Sequence, residues 1–198
     1  MDPASLRAIT ALIILSLMAW MAFRNVSLRR QGVTVNLTGQ RGNRKQRVLL
    51  LGGAVLFVYL LARWPFPVID DWVRAAPSPS PAAAIAVLVL SGLLMAAAQA
   101  GMGRNWRVGV PADAGAGDGD VDTLVTGGLH RYSRNPIYLA IMLFAVGAAL
   151  SAPGPLTIAA IVISFIGLTA IIRSEEDYLR ARFGEEFEIY ARRVRRWI

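Results

Sequence analysis

The chain has 198 residues, is 55% hydrophobic, carries a formal charge of +8 and contains no cysteine. That length suits one compact unit, and the lack of cysteine excludes a disulfide scaffold, a thiolate metal site, a cysteine nucleophile and a prenylation box. No metal is expected, and because the apolar residues fall in blocks rather than at amphipathic spacing, the class is all-α integral membrane.

Residues 4–23 form the first block. Arg7 near its start invites a secretory-signal reading, but the block exceeds a signal core and Phe23-Arg24 is no small-residue cleavage site, so a span is expected. Arg24, Arg29, Arg30, Arg41, Arg44, Lys45 and Arg47 follow with no acidic residue between them. Residues 48–64 are the second block, slightly short of the roughly 20 apolar residues that about 30 Å of hydrocarbon requires. These two helices read as scaffold, and Gly52-Gly53 suits close helix packing. Residues 65–81 hold Pro65, Pro67, Pro77, Pro79 and Pro81, which predicts a stiff, extended connector, with Asp70 and Asp71 set against Arg74. The third block, 82–102, ends in Ala96-Ala97-Ala98-Gln99-Ala100-Gly101, a narrow face open to a backbone or a ligand.

Residues 112–120 are rich in Gly and Asp. Gly115, Gly117 and Gly119 are no dinucleotide fingerprint, which needs a strand before it and a helix after it; a flexible surface loop is expected. Asp122, Thr123, Leu124 and Val125 then lead through His130 into Arg131-Tyr132-Ser133-Arg134-Asn135-Pro136-Ile137-Tyr138. Pro136 fits the first turn of a helix, where its missing N–H costs nothing. Asn135 falls at or near the N-cap, among free backbone donors and the positive end of the dipole, a place that suits an anion.

Residues 137–150 and 156–172 complete a set of five apolar blocks. Residues 151–155 between them read as the tight turn of a helical hairpin, since Pro and Gly break helices and lipid permits no open backbone. Arg173, Glu175 and Glu176 then stand beside the start of the fourth helix. Beyond them acidic residues alternate with arginines, while Tyr178, Leu179, Phe183, Phe187 and Tyr190 recur at helical spacing. That pattern predicts an amphipathic helix on the membrane surface or against the loop, closing a lid over the hairpin feet.

The basic clusters fall on one side of five spans, which places the N-terminus outside and the tail in the cytoplasm. The positive charge is thus a topology signal, with a second role at anionic headgroups, and nucleic-acid binding is not expected. Taken singly, Arg131 and Arg134 are membrane anchors, Tyr132 and Tyr138 interfacial aromatics, and His130 structural. Together, a donor-rich loop, a helix start and a carboxylate pair under one lid suit a zwitterion. S-adenosylmethionine fits, and so do other zwitterions.

At these residues the chain resembles the integral-membrane methyltransferases that include isoprenylcysteine carboxyl methyltransferase and the phospholipid N-methyltransferases. Leu124-Val125-Thr126-Gly127, Arg134-Asn135-Pro136-Ile137-Tyr138, Glu175-Glu176, Leu179, Phe183-Gly184 and Tyr190 occur in that family's order. The resemblance covers about residues 92 to 196. It implies a methyltransferase core over 82–198 behind a two-helix scaffold and outer loop over 1–81, with S-adenosylmethionine as cofactor. Asp122, Thr123, Leu124, Val125, His130, Asn135, Pro136, Ile137, Tyr138 and Glu175 are its implied contacts. Arg173 is implied to face the methyl acceptor, a lipophilic molecule or lipid entering from the inner leaflet. Glu176 is the expected base for an amine acceptor. Asn135 stands where the family often has His, and His130 where it often has Tyr; both donate hydrogen bonds, but no histidine base is expected at the helix start. An NADPH-dependent membrane reductase and a non-catalytic membrane protein are the alternatives. Twenty arginines against one lysine point to a GC-rich bacterial genome, hence an inner membrane.

Overall fold

Pro3 opens the first helix, and Asp2 caps it by accepting the Ser5 N–H at 2.9 Å. This helix, α1 (Pro3–Arg30), starts a computed structural model that describes residues 1–33, 35, 44–106 and 123–198. Asp122 and the Gly/Asp-rich loop 112–120 lie outside the described residues. The remaining helices are α2 (Arg44–Ala62), α3 (Ile69–Trp72), α4 (Pro81–Met102), α5 (Pro136–Ser151), α6 (Pro155–Phe183) and α7 (Glu185–Arg193). Every regular element among the described residues is helical.

Four helices, α1, α2, α4 and α6, are long and apolar enough to cross a membrane. α5 is apolar but has 16 residues, a rise of about 24 Å, so the fourth of the five expected spans is the short one. Residues 152–154 join α5 to α6, and the two helices pack together. α1 runs on through its basic end instead of stopping at the apolar boundary. α6 also differs from expectation: its apolar run and the first half of the expected amphipathic segment are one 29-residue helix. Nothing between 156 and 183 breaks a helix, whereas Gly184, at φ 52°, takes the left-handed conformation that ends one.

The connector 65–81 is not simply extended. Asp70, on the single turn α3, is held by Arg63 through Nε at 2.9 Å and Nη2 at 3.0 Å, and by the Tyr59 hydroxyl at 3.0 Å. Arg7 approaches the same carboxylate at 3.6 Å. Arg63 also donates to Ser151 Oγ at 3.0 Å, and Thr10 Oγ1 lies 3.2 Å from that oxygen. Asp70 is therefore paired with Arg63 and Arg7, and the group ties the end of α5 to α1 and α2. A buried guanidinium needs such a partner, because stripping it of water without one is costly.

The core lies where α4 and α5 cross, around Leu88, Phe144 and Ala148, with Ile14, Leu56 and Leu60 from α1 and α2. Phe57 meets Phe144 edge to face at 4.8 Å between centroids. Ser91 Oγ donates to the Ala140 carbonyl at 2.9 Å, and a Cβ on Gly147 would stand 2.8 Å from Leu88 side-chain carbons. Gly52 and Gly53, expected to mediate packing, have nothing within 4 Å of that position. Gly147→Leu should cost about 1–3 kcal/mol by overpacking, read as a lower melting temperature in detergent. Gly52→Leu should stay within about 0.5 kcal/mol of the parent.

Candidate functional site

Beneath the feet of α5 and α6 lies a cavity of about 250 Å³, lined by residues of α1, α2, α4, α5, α6, α7 and the loop before α5. Its polar end is built from the start of α5. Pro136 takes the first helical position and Asn135 the N-cap, as the motif predicts. The Asn135 side chain does not cap the helix, however. Its Nδ2 donates to the Arg196 carbonyl at 2.9 Å, while its backbone N–H donates to Ser133 Oγ at 3.1 Å. One turn on, the Tyr138 hydroxyl donates to Glu175 Oε1. Gln46, from α2, lies beside both Tyr138 and Glu175 on the cavity wall.

The two adjacent carboxylates differ. Glu176 is 6% exposed and lies between two guanidiniums, Arg134 Nη2 at 2.7 Å and Arg196 Nη2 at 2.5 Å. Glu175 has no cationic partner among the described residues. A half-buried carboxylate that meets a hydroxyl and no cation among the described residues can gain much from a cationic ligand group.

Across the cavity, His130 sits on the 3-10 turn Gly128–Arg131 and is 6% exposed. Its carbonyl accepts from the Tyr190 hydroxyl at 2.6 Å, which pins α7 to the loop. Burial pushes that hydroxyl up to about 12, so it remains a donor. Burial lowers the His130 imidazole from its ordinary 6.5, so the ring is neutral at physiological pH. Its Nδ1 is buried with no partner among the described residues. A buried, unmatched ring nitrogen on a cavity wall is a place for a ligand to complete. Asn105 braces the loop by donating to Thr123 O at 3.1 Å and Thr123 Oγ1 at 2.9 Å. Phe187, Tyr190 and Val194 pack with Leu124, Leu179 and Phe183, so α7 lies against the loop, one of the two placements its pattern allows. Away from the polar end, the wall is apolar: Met21, Leu49, Leu50, Met95, Ile141 and Leu168.

Of the predicted residues, Thr123, Leu124, Val125, His130, Asn135, Pro136, Ile137, Tyr138, Glu175 and Glu176 line this one cavity. Asp122 lies outside the described residues. Arg173 is not brought in. It is exposed, because two residues along a helix amount to about 200° of rotation and carry it to the side opposite Glu175. Glu176 reaches the wall, but with both oxygens occupied it is not placed as a free base.

Gln46, Gln99, Asn105, Trp106 and Tyr190 complete the wall without having been singled out as site residues. Gln46 was hidden in a run of basic residues that reads as a topology signal. Its one available mark was an uncharged polar side chain heading a span. Gln99, 1% exposed, accepts the Trp20 Nε1–H at 2.8 Å, a contact no local pattern announces.

A family model described as phospholipid methyltransferase matches residues 82–186. Two rice proteins named probable protein-S-isoprenylcysteine O-methyltransferase, from Oryza sativa subsp. indica and subsp. japonica, are each 36% identical over 72 residues. The match covers 36% of this chain and 38% of each relative, so the chain spans well under half the length of these curated relatives.

Because burial disfavours the His130 imidazolium, the unfolded chain takes up that proton first as pH falls, and the fold loses stability below about pH 6.5. Melting temperatures measured in detergent between about pH 7 and pH 5 should fall less steeply in His130→Gln than in the parent. Equal slopes would show that this buried ring is not the titrating group.

Proposed function

The chain belongs to the phospholipid methyltransferase family, and from that premise we propose that its cavity carries S-adenosylmethionine-dependent methyl transfer to a lipophilic acceptor entering from the bilayer. The observation that carries the reading is a carboxylate, Glu175, without a cation and a neutral ring nitrogen, His130 Nδ1, without a partner among the described residues, on the lining of one cavity whose far end is apolar.

S-adenosylmethionine, when bound, supplies a methyl group already activated by its sulfonium. Glu175 suits the donor's cationic amino-acid end, with Tyr138 holding the carboxylate in place and Gln46 beside it. The first-turn N–H groups of α5, which no helix satisfies internally, and the Asn135 side suit its carboxylate. His130, Thr123, Leu124 and Val125 wall the opposite side. The rest of the work is alignment and exclusion of water, which α7 and the loop it pins provide. Met21, Leu49, Leu50, Met95, Ile141 and Leu168 form the apolar arm that accommodates the acceptor's chain.

The acceptor is a lipid headgroup or an isoprenoid, as the family description and the names of the rice relatives suggest. Arg134 is the only arginine on the described cavity wall, and it is spent on Glu176. Arg173 stands outside. A carboxylate acceptor therefore finds no free guanidinium on the described cavity wall, so an amine or uncharged headgroup suits that wall better. We further take residues 82–198 as the catalytic core, with α5 and α6 as a membrane hairpin, the N-terminus outside and the loop and tail in the cytoplasm. Residues 1–81 are more than scaffold in this reading, since Met21, Gln46, Leu49 and Leu50 face the ligand space.

Calorimetric titration of the purified protein should show binding of S-adenosylhomocysteine and none of NADPH. Incubation with labelled S-adenosylmethionine and lipid extract should label a lipid. Glu175→Gln should weaken S-adenosylhomocysteine about 10- to 100-fold, the worth of one charged hydrogen bond, while Arg173→Ala leaves it unchanged. Parent-like affinity in Glu175→Gln sinks the assignment of that carboxylate.

A further inference from the structure

We propose that Arg134, Glu176 and Arg196 are positioning residues that clamp the segment after α7 across the start of α5 and so hold the polar wall of the cavity in register. The claim rests on the methyl-donor reading only for what the cavity binds; the clamp itself stands on the contacts alone.

Glu176 spends both oxygens. Oε1 accepts from Arg134 Nε at 3.1 Å, Arg134 Nη2 at 2.7 Å and Arg196 Nε at 3.1 Å, and Oε2 accepts from Arg196 Nη2 at 2.5 Å. Arg134 keeps one nitrogen for the segment itself, donating from Nη1 to the Ala191 carbonyl at 2.9 Å and the Val194 carbonyl at 2.5 Å. Its backbone N–H donates to the Arg195 carbonyl at 3.0 Å, and Asn135 Nδ2 donates to that of Arg196 at 2.9 Å. Residues 194–196 therefore run beside 134–135, joined to them by backbone and side chain alike. A carboxylate held against two guanidiniums is favoured in its ionised form and is a poor base, which removes it from that role.

A second anchor lies deeper. The Trp197 ring stacks on Phe165 of α6, with centroids 6.0 Å apart and planes 21° apart. Phe165 precedes Glu176 by eleven residues, which is three turns of helix and about 16 Å, so both anchors use one side of α6. The segment is pinned by charge at the foot of α6 and by an aromatic contact along its apolar stretch. Arg134, Asn135 and Glu176 also line the cavity, so the clamp sets where Asn135 stands relative to Glu175. Releasing Arg196 frees the segment, lets the start of α5 drift from α6, and loosens the grip on both ends of a zwitterionic ligand.

The native chain has no cysteine, so Val194→Cys, at a position 8% exposed, supplies a unique thiol whose maleimide labelling rate reports release of the segment. Glu176→Gln and Arg196→Ala in that background should each speed labelling. Without the cysteine, each should weaken S-adenosylhomocysteine roughly five- to 100-fold, the usual span of coupling between sites. Arg196→Lys, which keeps the charge but loses the fork, should fall between, and it keeps the test open should a harsher variant fail to fold. Combining Glu176→Gln with Arg196→Ala should be no worse than either alone, because both break one unit. Unchanged labelling in Arg196→Ala, additive losses in the pair, or faster labelling with unaltered affinity would each overturn the clamp. If the parent binds no S-adenosylhomocysteine, the methyl-donor reading fails instead, and the labelling rates alone decide whether the clamp exists.

Discussion

Two neighbouring carboxylates at the foot of α6 set the character of this protein. Adjacent residues on a helix point about 100° apart, so Glu175 and Glu176 cannot share an environment. Glu176 turns toward Arg134 and Arg196 and is neutralised, which fastens three segments together. Glu175 turns toward the Tyr138 hydroxyl, a neutral donor that brings no opposite charge, with Gln46 nearby. One carboxylate organises the wall, and the other meets no cation among the described residues. Had both been paired, the cavity would offer a cation nothing; had neither been, the buried charge would work against folding.

The same economy appears at the opposite end of α5. Arg63, buried beside Ser151, is matched by Asp70 from a single helical turn in the connector. Lipid cannot satisfy a polar group, so Arg63 and Glu176 each recruit charged partners from other elements, and each such pairing fixes a helix end. α5 is pinned at its start by the Arg134–Glu176–Arg196 group and at its end by the Arg63–Asp70–Ser151 group. Between them the contact of Leu88 with Gly147 holds α5 close to α4. The shortest apolar helix is thus the most constrained one, and it carries the residues nearest the candidate ligand.

Much of this was legible in the chain. Pro136 at the first helical position and Asn135 before it follow from proline's fixed φ and missing N–H, and Gly184 closes α6 because only glycine takes its conformation readily. Thr123 to Val125, His130, Asn135 to Tyr138 and Glu175 were marked by motif order, and they do converge. Gly52-Gly53 misled, because small residues permit close packing without causing it; whether a partner arrives depends on which helix lies opposite. Arg173 was expected to face the acceptor from the family resemblance, but it stands off the described cavity wall, two residues of helix and about 200° from Glu175. The occupants of Glu176 were also out of reach, since Arg134 is 42 residues before it and Arg196 is 20 after it.

Local chemistry therefore determined the helical membrane class, the helix boundaries at proline and glycine, and the set of polar side chains gathered near the start of α5. These depend on backbone geometry and on the hydrophobic length of each run, which neighbours in sequence decide. Tertiary structure alone decided which carboxylate is spent and which is free, that Gln46 from the second helix joins the wall, and that the segment after α7 lies across the start of α5. Each of these is a pairing between residues far apart in the chain, and a charge's role follows from what stands opposite it in space.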